Sequence, residues 1–198
     1  SAIVDYSKKV QFPINRIDVM DGSKRSAHSN AYFSGFGKSR RIALFDTLLD
    51  KHSTEEIISV VAHEVGHYKK KHIIKGTILG VLEIGVMLFV FNLIMTDKAL
   101  FSVFDVTTIS VHAGLIFFSM LYSPVSMVTS FFTAAYSRKN EFEADAFSLE
   151  TTNNPQALVS MLKGLAANNL AHLTPHPLKV YLSYSHPPVR ERITAILQ

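Results

Sequence analysis

Polar and apolar positions are spread unevenly along this chain. From 76 to 96 there are 21 residues with a single charge, Glu83, and from 106 to 137 there is no Asp, Glu, Lys or Arg. At 1.5 Å per residue, 21 helical residues reach about 31 Å, the hydrocarbon thickness of a bilayer. The pattern predicts two membrane-crossing helices joined by a short link, 96–105, and hence a helical hairpin. The same lengths also suit two buried core helices of a soluble protein, so both readings stand at this point. Pro124 lies inside the second stretch and is expected to kink it. Glu83, an acid within an apolar segment, is expected to face a bundle interior or water.

The flanking segments carry shorter periods. Residues 3–12 suggest a short helix. Segments 15–20, 30–36 and 40–45 have the β-branched and aromatic content of strands, with turn signals at Asp21-Gly22 and 35–38. Ser53 and Glu56 form a capping box that opens a helix. Ile57, Val61 and Val65 then recur at i, i+4 and i+8 on one face of it. Asn154-Pro155 opens another helix to about residue 169, residues 174–177 read as a loop, and a final helix is expected over 189–197. A small sheet beside helices makes the fold class α+β, mainly helical.

Charge sharpens this division. Residues 1–75 hold 13 basic and 8 acidic side chains, 76–137 hold four charges in 62 residues, and 138–198 hold 6 basic and 5 acidic. The net charge is +4, a mild excess, and no nucleic-acid partner is expected. Lys69, Lys70, Lys71 and Lys75 precede the first apolar stretch, and Arg138 and Lys139 follow the second. By the positive-inside rule both polar blocks are cytoplasmic. There is no cysteine, so disulfides, thiolate metal ligands and Cys nucleophiles are excluded. The chain starts at Ser1 and is read as a piece of a longer protein whose upstream spans are missing from it.

The chemistry sits at the edges of the apolar stretches. His63-Glu64-Val65-Gly66-His67 is HExxH on the capped helix. Histidines four apart share one face and can both reach one Zn²⁺, while Glu64 can reach a metal-bound water as general base. Catalytic zinc needs a third protein ligand. Two spans return the chain to the side it left, so Glu141 and Asp145, i and i+4 on one face just past the second stretch, emerge near the histidines. One of them can bind metal while the other holds a ligand histidine. Glu143 is expected to point elsewhere, into solvent. Of the nine histidines, His28, His52, His72, His112, His172 and His176 have no spacing that demands metal.

Four blocks carry a family resemblance: 22–49 (GSKRSAHSNAYFSGFGKSRRIALFDTLL), 63–67 (HEVGH), 138–147 (RKNEFEADAF) and 184–197 (YSHPPVRERITAIL). With the two apolar stretches between the second and third, the chain resembles the integral-membrane CAAX prenyl endopeptidases, zinc metalloproteases of the sterile-mutant type. The resemblance implies a zincin-like HExxH helix beside the small sheet, with the transmembrane hairpin attached. Residues 1–75 and 138–198 would then be two parts of one protease domain, interrupted by the hairpin at 76–137. It also implies one Zn²⁺ per chain, held by His63, His67 and Glu141, with Glu64 as the catalytic carboxylate. Asp145 would be a supporting or proton-donating acid, and His186 and Arg192 would face the substrate carbonyl or oxyanion. Asn30, with Ala31 and Tyr32, falls in the segment that binds substrate backbone. An edge strand there could pair with an extended peptide, whereas a strand covered by a neighbour could not.

The implied substrate is a peptide or a prenylated CAAX protein, met at a lipid bilayer. The implied location is integral to the endoplasmic reticulum in a eukaryote, or to the inner or plasma membrane in a bacterium, with the site facing the cytoplasm or an intramembrane cavity. A broad-specificity membrane quality-control protease and a non-catalytic zinc-binding membrane module are the alternatives.

Overall fold

The structure is a computed structural model, and it describes residues 2–12, 14–24, 31–34 and 41–198. Among these residues, helices dominate. The first is α1 (Ala2–Lys9), followed by three short strands, β1 (Arg16–Met20), β2 (Ala31–Ser34) and β3 (Arg41–Phe45). They form one mixed sheet of order β1-β3-β2. β1 runs parallel to β3, pairing Arg16 with Arg41 and Met20 with Phe45, and β2 runs antiparallel, pairing Ala31 with Leu44 and Ser34 with Arg41. β3 is therefore the central strand, and its Ile42 and Leu44 are fully buried. β2 is an outer strand. The expected turn at Asp21-Gly22 is tied down by Asp46, whose carboxylate accepts from the backbone N–H groups of Gly22 and Ser23 at 3.0 Å each. The expected turn at 35–38 and residue Asn30 lie outside the described residues.

α2 (Asp46–Lys51) follows β3 directly, and α3 (Thr54–Lys69) carries the HExxH motif. The capping box forms as the sequence requires: the Ser53 side chain accepts from the Glu56 N–H, and the Glu56 carboxylate accepts from the Ser53 N–H. The apolar face of α3 is the spine of the main core. Val61, Ala62 and Val65 are fully buried against Tyr6, Phe12, Ile42, Leu44, Leu48 and Met161. The core thus draws on residues from both polar blocks.

α3 does not continue into the first apolar stretch. It ends at Lys70, and Lys71 takes a left-handed conformation, φ 60°, that starts α4 (His72–Thr96) in a new direction. The link expected over 96–105 contains a further short helix, α5 (Lys98–Val103), capped by Asp97. α6 (Val111–Thr152) is one helix of 42 residues with Pro124 inside it. It joins the second apolar stretch and the acidic motif without a break. α4 and α6 pack on each other, and Glu83 faces this contact, accepting a hydrogen bond from Thr129 Oγ1 at 3.1 Å. Only 6 % of the apolar window of each helix is buried. Two core helices of a soluble protein would be mostly covered, and among the described residues these are not. Both helices are long and apolar enough to cross a membrane.

α7 (Pro155–Asn168) starts where expected, with Asn154 accepting from the Ala157 N–H and Pro at the first turn. The loop at 174–177 gives way to a short helix that the sequence pattern did not reveal, α8 (Pro177–Ser183), and the chain ends in α9 (Val189–Ile196). α7 and α9 pack together through Leu158, Leu162 and Ile196, and α9 also reaches α6. That contact brings the C-terminal residues to the HExxH helix.

Candidate metal centre

The site is built where α3 crosses α6. Two features let these helices approach closely. Gly66 has no side chain, and a Cβ there would stand 3.1 Å from Ala144 Cα and 3.2 Å from its carbonyl oxygen. One helical turn away, Ser148 Oγ donates to the Ser59 carbonyl at 2.8 Å, both residues being fully buried. Glycine in HEVGH is thus a packing requirement of the crossing.

Across this contact, His63 and His67 from α3 meet Glu141 from α6. The His63 and His67 Nε2 atoms are 3.1 Å apart, His63 Nε2 is 3.5 Å from Glu141 Oε2, and His67 Nε2 is 3.3 Å from Glu141 Oε1. Three donor atoms, one from each residue, lie within 4.8 Å of one another, a grouping that could hold a metal ion. Two imidazole nitrogens and a carboxylate oxygen suit a divalent transition metal. Glu141 is therefore the acid that converges with the histidines, and Asp145 is the one that sits behind them. His63 Nδ1 donates to Asp145 Oδ1 at 2.9 Å, which turns Nε2 toward Glu141 and His67.

Arg192 arrives from α9 and grips Asp145 with two nitrogens, Nε at 2.7 Å and Nη2 at 2.6 Å. Its Nη1 lies 3.2 Å from Glu141 Oε2. With its side chain only 11 % exposed, the guanidinium is committed to two carboxylates. His186 stands at the rim, with Nε2 3.4 Å from Glu141 Oε1 and the side chain largely exposed. Glu64, half-buried, lines the same cavity as these groups. The cavity measures about 720 Å³, with Leu158, Met161 and Leu162 on its apolar wall and Ala31 of β2 at its edge. Tyr32 is exposed on the same strand.

The charges follow from this packing. Burial raises the Glu64 pKa above the usual carboxylate range, and the neighbouring histidines oppose the shift without cancelling it. For His63, burial alone would lower the pKa. Its hydrogen bonds to Asp145 and Glu141 outweigh burial and bring the value to about 9. Among the protein groups alone, His63 therefore carries a proton at neutral pH. A metal ion must displace that proton to use Nε2.

Two residues set aside on spacing belong to this centre. His72 is buried, with its Nδ1 3.0 Å from His67 Nδ1 and its Nε2 3.1 Å from Glu143 Oε2. Glu143 is thus engaged with a histidine behind the site rather than free in solvent. The reversal at Lys71 brings His72 back over the end of α3. The signal that was available is a third histidine five residues past HExxH, just beyond the Lys70-Lys71 pair. The remaining candidate, Asn30, lies outside the described residues.

The profile of peptidase family M48 matches residues 2–198. A CAAX prenyl protease 1 homolog of Oryza sativa subsp. japonica is 38 % identical over 192 residues, covering 94 % of this chain and 44 % of that protein. The CAAX prenyl protease 1 of Saccharomyces cerevisiae is 34 % identical over 211 residues, covering 98 % of this chain and 46 % of its own length. The crystal structure of S. mikatae Ste24p superposes with a TM-score of 0.86 at 34 % identity, covering 98 % of this chain and 49 % of that one. The chain spans less than half the length of each of these relatives.

Proposed function

Since the chain belongs to peptidase family M48, we propose that it forms the catalytic part of a membrane-embedded zinc metalloendopeptidase. Its substrates would be prenylated CAAX peptides or other membrane-associated peptides. The single observation that carries this reading is the convergence of His63, His67 and Glu141 beside Glu64 in one cavity. The prenylated substrate is suggested by the names of the relatives. The membrane setting is supported by the two exposed apolar helices.

Zinc is favoured by the donor set: His63, His67 and Glu141 would offer two imidazole nitrogens and a carboxylate oxygen, the ligands of one class of catalytic zinc site, with a further position left for the reaction. When bound, zinc supplies a Lewis acid for the scissile carbonyl and lowers the pKa of water from 15.7 to about 7.

The chain's own residues do the rest. Glu64, its proton affinity raised by burial, takes the proton of the attacking water and delivers it to the leaving amine. Asp145 holds His63 in the tautomer that presents Nε2. His186, exposed at the rim, is placed to donate to the developing oxyanion. Arg192 acts first on Asp145 and Glu141, which occupy its nitrogens. An extended substrate would lie along β2, past Ala31 and Tyr32, in the manner of strand addition. The two polar blocks, 1–75 and 138–198, act as one protease domain that the hairpin interrupts. A cytoplasmic position for that domain is supported by Lys69–Lys71 with Lys75, and Arg138 with Lys139, at the ends of the hairpin.

The test measures zinc content and cleavage of a prenylated CAAX peptide, with wild type beside Glu64→Gln. The expected result is stoichiometric zinc in both and hydrolysis by wild type alone. Full activity in Glu64→Gln would refute the general-base role. Equal cleavage of an unfolded membrane protein would shift the reading to a broad-specificity protease.

A further inference from the structure

We propose that His72 and Glu143 form a positioning relay for His67, the counterpart of what Asp145 does for His63. This rests on the metal-site reading above and extends it to two residues outside the ligand set.

With His72 neutral, the hydrogen bonds around these groups fix both tautomers. The Glu143 carboxylate only accepts hydrogen bonds. The His72 Nε2 at 3.1 Å from it must therefore carry the hydrogen. In neutral His72 that leaves Nδ1 as an acceptor. The His67 Nδ1, 3.0 Å away, must then be the donor, so His67 is protonated at Nδ1. Its Nε2 keeps a free lone pair, and that atom is the one converging on His63 and Glu141. One carboxylate thus sets two tautomers in series. His63 is held at its own Nδ1 in a single step, through Asp145.

Burial and architecture fit this role. The His72 side chain is only 4 % exposed, while Glu143 is 36 % exposed at the open end of the relay. His72 is the first residue of α4 and Glu143 belongs to α6. The relay therefore ties both hairpin helices to the motif helix behind the metal centre. Removing such partners typically costs 10–100-fold in metal affinity.

A buried histidine could instead be there only to fill space, and the experiment separates the two roles. Zinc affinity is measured by chelator competition, and the visible spectrum of the cobalt-substituted protein reports ligand geometry. The variants are His72→Phe, His72→Asn and Glu143→Leu. Phenylalanine keeps the ring but removes both nitrogens. Asparagine replaces the acceptor at the Nδ1 position. The expected result is zinc binding about 10–100-fold weaker in His72→Phe and Glu143→Leu, with most of the loss restored in His72→Asn. The cobalt spectrum should shift in the Phe variant and return toward wild type in the Asn variant. Wild-type affinity and spectrum in His72→Phe would overturn the relay while leaving the metal site standing, and so would equal losses in the Phe and Asn variants. A wild-type protein that binds no zinc would overturn both. Should His72→Phe fail to fold, Glu143→Leu decides from the partly exposed end, where wild-type affinity refutes the proposal.

Discussion

Arg192→Met is the substitution that most sharply separates two accounts of this site. In one, the guanidinium is held free for the substrate. In the other, it neutralises the carboxylates that build the centre. The structure favours the second: Arg192 makes a two-pronged contact to Asp145 at 2.6 and 2.7 Å and a third to Glu141 at 3.2 Å, with its side chain 11 % exposed. Asp145 and Glu141 are themselves buried. Removing one partner of a buried, hydrogen-bonded ion pair leaves an uncompensated charge and costs about 3–5 kcal/mol. For a chain of this size, 1 kcal/mol shifts the melting temperature by roughly 2–4 °C, so the expected fall is about 6–20 °C. Thermal unfolding in detergent, with chelator present, is the assay. Saturating zinc should recover part of the loss, because the ion brings positive charge to Glu141. Arg192→Lys should fall between, since a single ammonium cannot reproduce the fork. A melting temperature within about 2–4 °C of wild type for Arg192→Met would mean that less than about 1 kcal/mol is involved, and the positioning account would be wrong.

Two further outcomes follow from the same geometry. Gly66→Ala gains about 1 kcal/mol of helix propensity, but its Cβ meets backbone of Ala144 at 3.1 and 3.2 Å, and overpacking of this kind costs about 1–3 kcal/mol. Because the strain also pushes His67 away from Glu141, zinc affinity should fall more than chelator-treated stability does; tighter zinc binding in the variant would contradict the close-crossing argument. The His63 pKa of about 9 predicts that zinc binding at pH 7 releases one proton from this residue, so affinity rises with pH and levels off above about 9. Titration calorimetry in two buffers of different ionisation enthalpy counts that proton, and a count of zero would refute the protonated state.

The parts of this molecule that were legible from its sequence are those that a helix repeats locally. His63 with His67, and Glu141 with Asp145, stand four apart, and a helix converts that spacing into a shared face whatever surrounds it. The capping box at Ser53 and Glu56 is local for the same reason. The contacts that escaped were set by how the chain turns. Lys71 adopts a left-handed conformation, and only that reversal brings His72 against His67 and Glu143. Arg192 reaches Asp145 from 47 residues away because α9 packs on α6, a docking with no local signature. The short helices α2, α5 and α8, of six or seven residues, are too brief for a period to show.

The continuity of α6 was also hidden, because the change from apolar to charged residues at Ser137-Arg138 suggests a boundary where the backbone has none. That continuity has a mechanical consequence. Glu141 lies four residues past Ser137, about 6 Å along the same helix axis. The acid that meets the histidines is thus carried on the same rod as the apolar stretch, one turn beyond its end. If that stretch crosses the bilayer, it sets the depth of the centre directly. The level of His63, Glu64 and His67 relative to the bilayer would then follow from the length of that stretch, since Glu141 holds them one turn past its end.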